Sequence, residues 1–186
     1  NKEITDFAAR DEISLIAASP HSQSSDGHWT IGRTADKVIR ETSKPVLLVG
    51  GDSVPGPVGA EPMSRVLVPL DGSRASRDVL PQVDAILRKE WGEGSSKVWL
   101  LHVIPAEHYA AGPVIAKRIP YTRQEAEELR GQASRYLEEV ATRLRAGGRT
   151  VETRVATGDA ATMIMQTAAQ MEANLIAMTT PVSYTH

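Results

Sequence analysis

The residues best placed to do chemistry are Asp71, Gly72 and Ser73, which end the apolar run Val66-Leu67-Val68-Pro69-Leu70 and stand directly before a helical pattern. A short apolar run that stops this way predicts a buried strand carrying a carboxylate to the carboxyl end of a sheet. Ligands of open α/β sheets bind in the crevice at that end. An ionised carboxylate only accepts hydrogen bonds, so Asp71 there suits the amino group of a base or a cation. The same residue types also have a local role, since Asp closes turns on its own backbone and Ser caps helices. Taken alone, the segment favours the local role.

Other reactive side chains form no comparable constellation. The five histidines (21, 28, 102, 108 and 186) show no ligand spacing, so no metal site is expected. His102, at the end of an apolar run, reads as a packed or hydrogen-bonded residue rather than a base. His21 lies in a polar loop with no nucleophile at a telling spacing. The absence of cysteine excludes disulfides, thiolate catalysis and cysteine-bound metal, and it fits a reducing compartment. Met163, Met165, Met171 and Met178 read as core filling. There is no Gly-x4-Gly-Lys-Ser/Thr loop, no His-x-Gly-His element and no Ser-Gly-Gly-x-Asp-Ser loop.

Composition narrows the partners. The chain has 186 residues, 41% apolar and 24% charged, with a net charge of −2 and no long basic run. Neither nucleic acid nor an anionic membrane is an expected partner. No apolar run approaches the length of a membrane span, and no secretory signal stands at Asn1. The expected location is the cytoplasm. The chain does not begin with Met and is expected to be a fragment.

The elements that must position Asp71 follow from periodicity. Val66–Leu70 is a predicted strand. Ser73 can cap one helix with apolar positions Ala75, Val79, Leu80, Val83, Ile86 and Leu87. Lys97–Ile104 is a second strand, followed by a loop containing Pro105, Pro113 and Pro120. Thr122-Arg-Gln-Glu125 is a capping box that opens a long helix ending at Gly147-Gly148. Its inner face is Ala126, Leu129, Ala133, Tyr136 or Leu137, Val140 and Leu144. The outer face carries Glu127, Glu128, Arg130, Arg135, Glu138, Glu139 and Arg143, a solvated face with i,i+4 pairs. Val151–Ala156 and Asn174–Met178 are further strands, with Asp159 capping the helix between them. Strands that alternate with helices imply parallel pairing.

An internal repeat of domain size is also present. A shift of 160 positions places Ile4, Ala8, Ala9, Glu12, Leu15, Ile16 and Ala17 on Ile164, Ala168, Ala169, Glu172, Leu175, Ile176 and Ala177. Ahead of the Gly/Pro-rich stretch, Ile13–Ala18 is a strand, residues 19–28 a polar loop, residues 30–42 a helix and residues 45–49 a strand. The expected organisation is therefore the C-terminal part of a first domain (1–50), a linker (51–63), a second domain lacking its last helix and strand (64–180) and a non-native tail (181–186).

The ordered set Val68-Pro69-Leu70-Asp71-Gly72-Ser73, Leu101-His102-Val103, Gly158-Asp159 and Asn174-Leu-Ile-Ala-Met178 resembles a universal stress protein domain. Leu15-Ile-Ala-Ala18, Gly32 and Lys44-Pro-Val-Leu-Leu-Val49 resemble the end of a preceding copy in a tandem member. The resemblance implies an α/β fold with an open parallel five-stranded sheet and helices on both faces, Rossmann-like, present as a partial first copy and a nearly complete second. It also implies a regulatory stress-response module, not an enzyme, that binds ATP in some members. The base would meet Pro69, Asp71 and Val103, and the ribose would meet Gly158. The phosphates would lie on a Gly-x2-Gly-x9-Gly-Ser/Thr loop. Glycines there let backbone N–H groups turn inward and the anion approach closely.

The sequence departs from that loop. In the first copy the spacing survives as Ser19-x2-Ser22, nine residues, then Gly32-Arg33. Two glycines are serine and the last Ser/Thr is arginine. Arg33 also reads as a solvated residue at a helix start. In the second copy Thr179 occupies the first glycine position. The resemblance further implies a homodimer, or an intrachain pseudo-dimer, formed through last strands, for which Val46–Val49 is available in the first copy. Two rival readings are an ATP-binding, slowly hydrolysing enzyme of the same fold and an interaction scaffold with empty clefts.

Overall fold

A computed structural model describes residues 2–19, 31–50, 63–90, 96–110 and 117–179. The chain divides into a first unit within residues 1–59 and a second within residues 60–181.

The first unit contains α1 (Lys2–Ala8), β1 (Ile16–Ala18), α2 (Arg33–Glu41) and β2 (Val46–Leu48). β1 and β2 pair in parallel, Ile16 with Val46 and Ala18 with Leu48. Among its described residues Ala8 and Val38 are the buried apolar ones. Gly32 precedes α2 at φ −60°, an angle open to any residue.

The second unit is built on β3 (Arg65–Pro69), β4 (Lys97–Ile104), β7 (Thr150–Thr157) and β8 (Leu175–Ile176), with α3 (Arg74–Arg77), α4 (Leu80–Glu90), α5 (Arg123–Ala146) and α6 (Ala160–Gln170). The sheet is parallel, in the order β7-β4-β3-β8. It has four strands rather than the five expected of the family fold, because the described residues of this unit supply only those four in parallel register. Its central strands are apolar on both faces, as strands covered twice must be. On one face Val66, Val68, Leu70, Val98 and Leu100 pack against Val83 and Leu87 of α4 and Leu137, Val140 and Ala141 of α5. On the other face Leu67, Trp99 and Leu101 meet Ala168 and Ile164 of α6. Each fully buried Leu or Val contributes about 1.5–3 kcal/mol.

Local chemistry sets most element ends. Thr122 Oγ1 accepts from Glu125 N–H (3.3 Å), and Glu125 Oε2 accepts from Thr122 N–H (2.8 Å), closing the capping box of α5. Of the alternatives on its inner face, Leu137 is fully buried and Tyr136 partly so, while Ala126 is exposed because the first turns of α5 extend past the core. The single helix expected after Ser73 is two helices. Pro81 has no N–H, and its ring would strike the carbonyl of Arg77 in a continuous helix, so the chain closes α3 with Asp78 N–H to Ala75 O (3.1 Å) and restarts. The loop expected after Ile104 holds two short strands, β5 (Glu107–Ala110) and β6 (Lys117–Pro120), paired antiparallel with Pro120 opposite Glu107 at the end of the ladder. The other two prolines of that stretch read differently: Pro105 precedes the hairpin, and Pro113 lies outside the described residues.

Candidate functional site

Because the four strands are parallel, their carboxyl ends share one edge, and four turns meet there: after β3, β4, β7 and β8. The turn after β3 carries Asp71. Leu70 N–H still donates to Leu101 O (2.8 Å), so the chain leaves the sheet only at Asp71. Asp71 Oδ1 then accepts from Ser73 N–H (2.8 Å), an Asx turn. Gly72 takes φ +87°, where a side chain would be strained. Ser73 caps α3, its Oγ accepting from Ser76 N–H (3.0 Å). Hydrogen bonds from the Ser73 hydroxyl and N–H hold the Asp71 carboxyl below the ordinary carboxylate range. Asp71 is thus an exposed, fixed, ionised acceptor. Pro69 is half-buried at the end of β3.

The turn after β4 follows Val103, which is half-buried, pairs with Ala156 of β7 and faces α6. His102 faces the other way. Its Nδ1 lies 2.8 Å from Leu70 O, and a carbonyl can only accept, so Nδ1 is the donor of this hydrogen bond. The ring meets Tyr136 edge-on, with centroids 6.3 Å apart. His102, Gly72, Ile104, Tyr121, Gln132 and Tyr136 line an open concavity of about 310 Å³ between the sheet edge and α5. Sequence reasoning placed none of the α5 residues here. The available signal was strand alternation, which puts His102 on the face of Val98 and Leu100.

At the turn after β7, Gly158 N–H donates to Ile104 O (2.9 Å), tying it to the end of β4. Gly158 has φ +146°, and a Cβ there would come within 3.3 Å of Met163 Cγ. Asp159 caps α6 by accepting from Thr162 N–H (2.9 Å), and that bond, followed by one from the Thr162 hydroxyl, lowers its pKa. At the turn after β8, Thr179 Oγ1 donates to Ala75 O (3.0 Å), which brings this turn against the first turn of α3. The structure therefore places Pro69, Asp71, Val103 and Gly158 on one edge, with Thr179 beside α3.

The remaining site residues belong to the first unit. Ser19 follows β1 and Gly32 precedes α2. Arg33 is the exposed first residue of α2. Ser22 lies outside the described residues. Among the described residues no group of three His, Asp or Glu side chains is arranged to hold a metal, and no helix is long and apolar enough to cross a membrane.

A family model for the universal stress protein family matches residues 63–183, more than half of the chain. Among solved structures, a universal stress protein from Archaeoglobus fulgidus DSM 4304 is similar over 94% of this chain at 20% identity, with a TM-score of 0.61. The match covers 53% of that protein, so this chain spans about half its length. A universal stress protein family member from Burkholderia pseudomallei matches 61% of this chain and 79% of its own at 20% identity, with a TM-score of 0.47. No curated protein matches the chain. At such identity the Archaeoglobus fulgidus structure speaks for the fold alone, whereas the family match rests on the sequence of the second unit: the chain belongs to the universal stress protein family.

Proposed function

We propose that the chain is a regulatory module of the stress response whose second unit receives the adenine of ATP at Asp71. The observation that carries this reading is the state of that carboxylate: ionised, exposed, at the ligand edge of the sheet and fixed in direction by Ser73. Its second oxygen is an acceptor suited to the adenine amino group. Backbone at Val103 would line the base, and Gly158 would admit the ribose closely because it has no side chain. The turn after β8, beginning at Thr179, is where phosphate would follow. In the same reading the chain is cytoplasmic, the two units are successive copies of one domain separated by a linker, and last strands mediate pairing of copies. The module senses or signals rather than catalyses. A scaffold role without nucleotide is favoured by one observation, that Asp71 Oδ1 is already engaged by the Ser73 N–H, which is all a turn requires.

Calorimetric titration of the whole chain with ATP, and with GTP for comparison, tests this. Asp71→Asn keeps an oxygen for the turn but can present an amide N–H to the adenine amino group. A hydrogen bond to a charged group is worth about 1.5–3 kcal/mol, so ATP affinity is expected to fall roughly 10- to 150-fold. Unchanged affinity would remove Asp71 from the site, and absence of any ATP binding by the unsubstituted chain would favour the scaffold.

A further inference from the structure

We infer that the groove between the α3–α4 break and the last turns of α5 docks an acidic segment of a partner protein that carries an apolar anchor. The groove has a volume of about 540 Å³ and is open to solvent. Its described walls are residues 74–84 and 140–147, on the face of the sheet covered by α4 and α5, opposite α6. Among the described residues it shares no lining side chain with the concavity at His102. Arg74 and Arg77, three apart on α3, stand on one wall and Arg143 of α5 on the other. Arg123, Arg145 and Arg149 are paired with Glu127, Glu138 and Asp84. The three groove arginines have no ion-pair or hydrogen-bond partner for their side chains among the described residues.

Charge and shape together select the occupant. Asp84, one of two carboxylates at the groove, is turned to the buried Arg149 (3.4 Å). Three guanidinium groups therefore share the groove with one other carboxylate, Asp78, in a chain of net charge −2. The local excess is positive and draws an anionic partner to a surface that is acidic elsewhere. Guanidinium forks accept carboxylates in bidentate geometry. Between the arginines lies apolar surface: Pro81 is exposed, and Leu80 and Leu144 are half-buried. The proline that breaks the helix thus also puts its ring in the groove. Small-molecule pockets enclose most of their ligand. This groove stays open and covers an occupant from one side, as a protein docking surface does. A segment with carboxylates flanking a leucine-sized side chain matches it, the acids on the arginines and the apolar group over Pro81. Arginines beside an apolar anchor are a common source of affinity in protein interfaces.

The test uses a fluorescein-labelled pool of short peptides in which Asp or Glu alternates with Leu, Val or Phe. The whole chain is titrated into it at about 0.05 M salt, where exposed charges are weakly screened, and anisotropy is followed. Saturation below about 1 mM protein is expected, and its absence overturns the inference. Arg74→Gln, Arg77→Gln and Arg143→Gln should each weaken binding about fivefold, the upper range of one exposed ion pair. Arg123→Gln removes the same charge at the start of α5, from a side chain that is 93% accessible, and should change binding less than about twofold. Equal losses in Arg143→Gln and Arg123→Gln would refute the docking site, because net charge alone would then account for binding. A second pool with Ser in place of the apolar residues is compared on the unsubstituted chain, so this readout does not depend on how any variant folds. Equal binding of the two pools would remove the apolar anchor and with it the inference. Displacement of the probe by ATP would assign the probe to the sheet edge at Asp71 instead and would also overturn it.

Discussion

Arg149 and Asp84 form an ion pair whose two partners should respond very differently to removal. The Arg149 side chain is 4% accessible and that of Asp84 is 26% accessible. Both Nε and Nη2 of Arg149 donate to Asp84 Oδ1 at 3.4 Å. Asp84→Ala leaves a guanidinium buried between α4 and the start of β7 with its charge uncompensated. Breaking a buried pair this way costs about 3–5 kcal/mol. The long bonds and the partial exposure of Asp84 reduce this to about 2–3 kcal/mol, since solvent screens part of the interaction. Arg149→Met keeps the apolar stem and leaves a carboxylate that water can reach, so the expected cost is about 1 kcal/mol. The assay is urea unfolding followed by Trp99 fluorescence, with Trp29 and Trp91 replaced by Phe in every variant. For a slope of about 2 kcal/mol/M, the midpoint should fall by roughly 1–1.5 M for Asp84→Ala and by about 0.5 M for Arg149→Met. An equal or larger loss for Arg149→Met would refute the reasoning, because the uncompensated charge left buried by Asp84→Ala would then not be the main source of instability.

Other expectations follow from the site and the caps. Gly158→Ala must hold an L-residue at φ +146°, which costs about 1–3 kcal/mol and should lower Tm by roughly 2–10 °C; full rescue by adding Met163→Ala would show that the 3.3 Å contact, not the backbone angle, was at fault. Thr122→Ala removes the acceptor of the capping box and should destabilise the second unit by about 1 kcal/mol in thermal unfolding, while Thr122→Ser should restore most of it. The carboxyls of Asp71 (through Ser73), Glu138 (through Arg145 and Thr153) and Glu152 (through Lys97 and Trp99) are held below their ordinary values. Their contribution to stability is present above the unfolded-state values of about 4 and is lost as pH falls through the lower folded-state values. The urea midpoint should therefore drop on acidification below about pH 4, and less steeply in Glu152→Gln.

Much of the second unit is legible in the sequence because local rules and tertiary demands agree there. Thr122 and Glu125 cap the helix they are spaced to cap, Asp159 does the same for α6, and the apolar runs at 66–70 and 97–104 form central strands covered on both faces. The break at Pro81 was also written in the chain, since proline interferes with the carbonyl four residues earlier, but the apolar period running through it hid the signal. The β5–β6 hairpin was not legible. Its strands lack a clean alternation, and prolines in and beside it argue for loop. At the site, the Asp71 turn follows from residue types alone. The bond from His102 to Leu70 O and the approach of Thr179 to Ala75 do not, because each joins residues far apart in the chain through strand order.

The lengths of the strand pairings grade the sheet from one side to the other. β4 pairs with β7 over eight residues, β3 with β4 over five and β8 with β3 over two. Amide hydrogens should exchange in the same sequence, slowest in β4 and fastest in β8, with β8 opening in small excursions that leave the rest folded. The side of the cleft that includes Thr179 is thus its least protected wall. A ligand or strand that engages this wall will leave its mark chiefly as slowed exchange at Ile176 to Thr179. Isotope labelling at those few amides would register such an event even where the global melting transition barely moves.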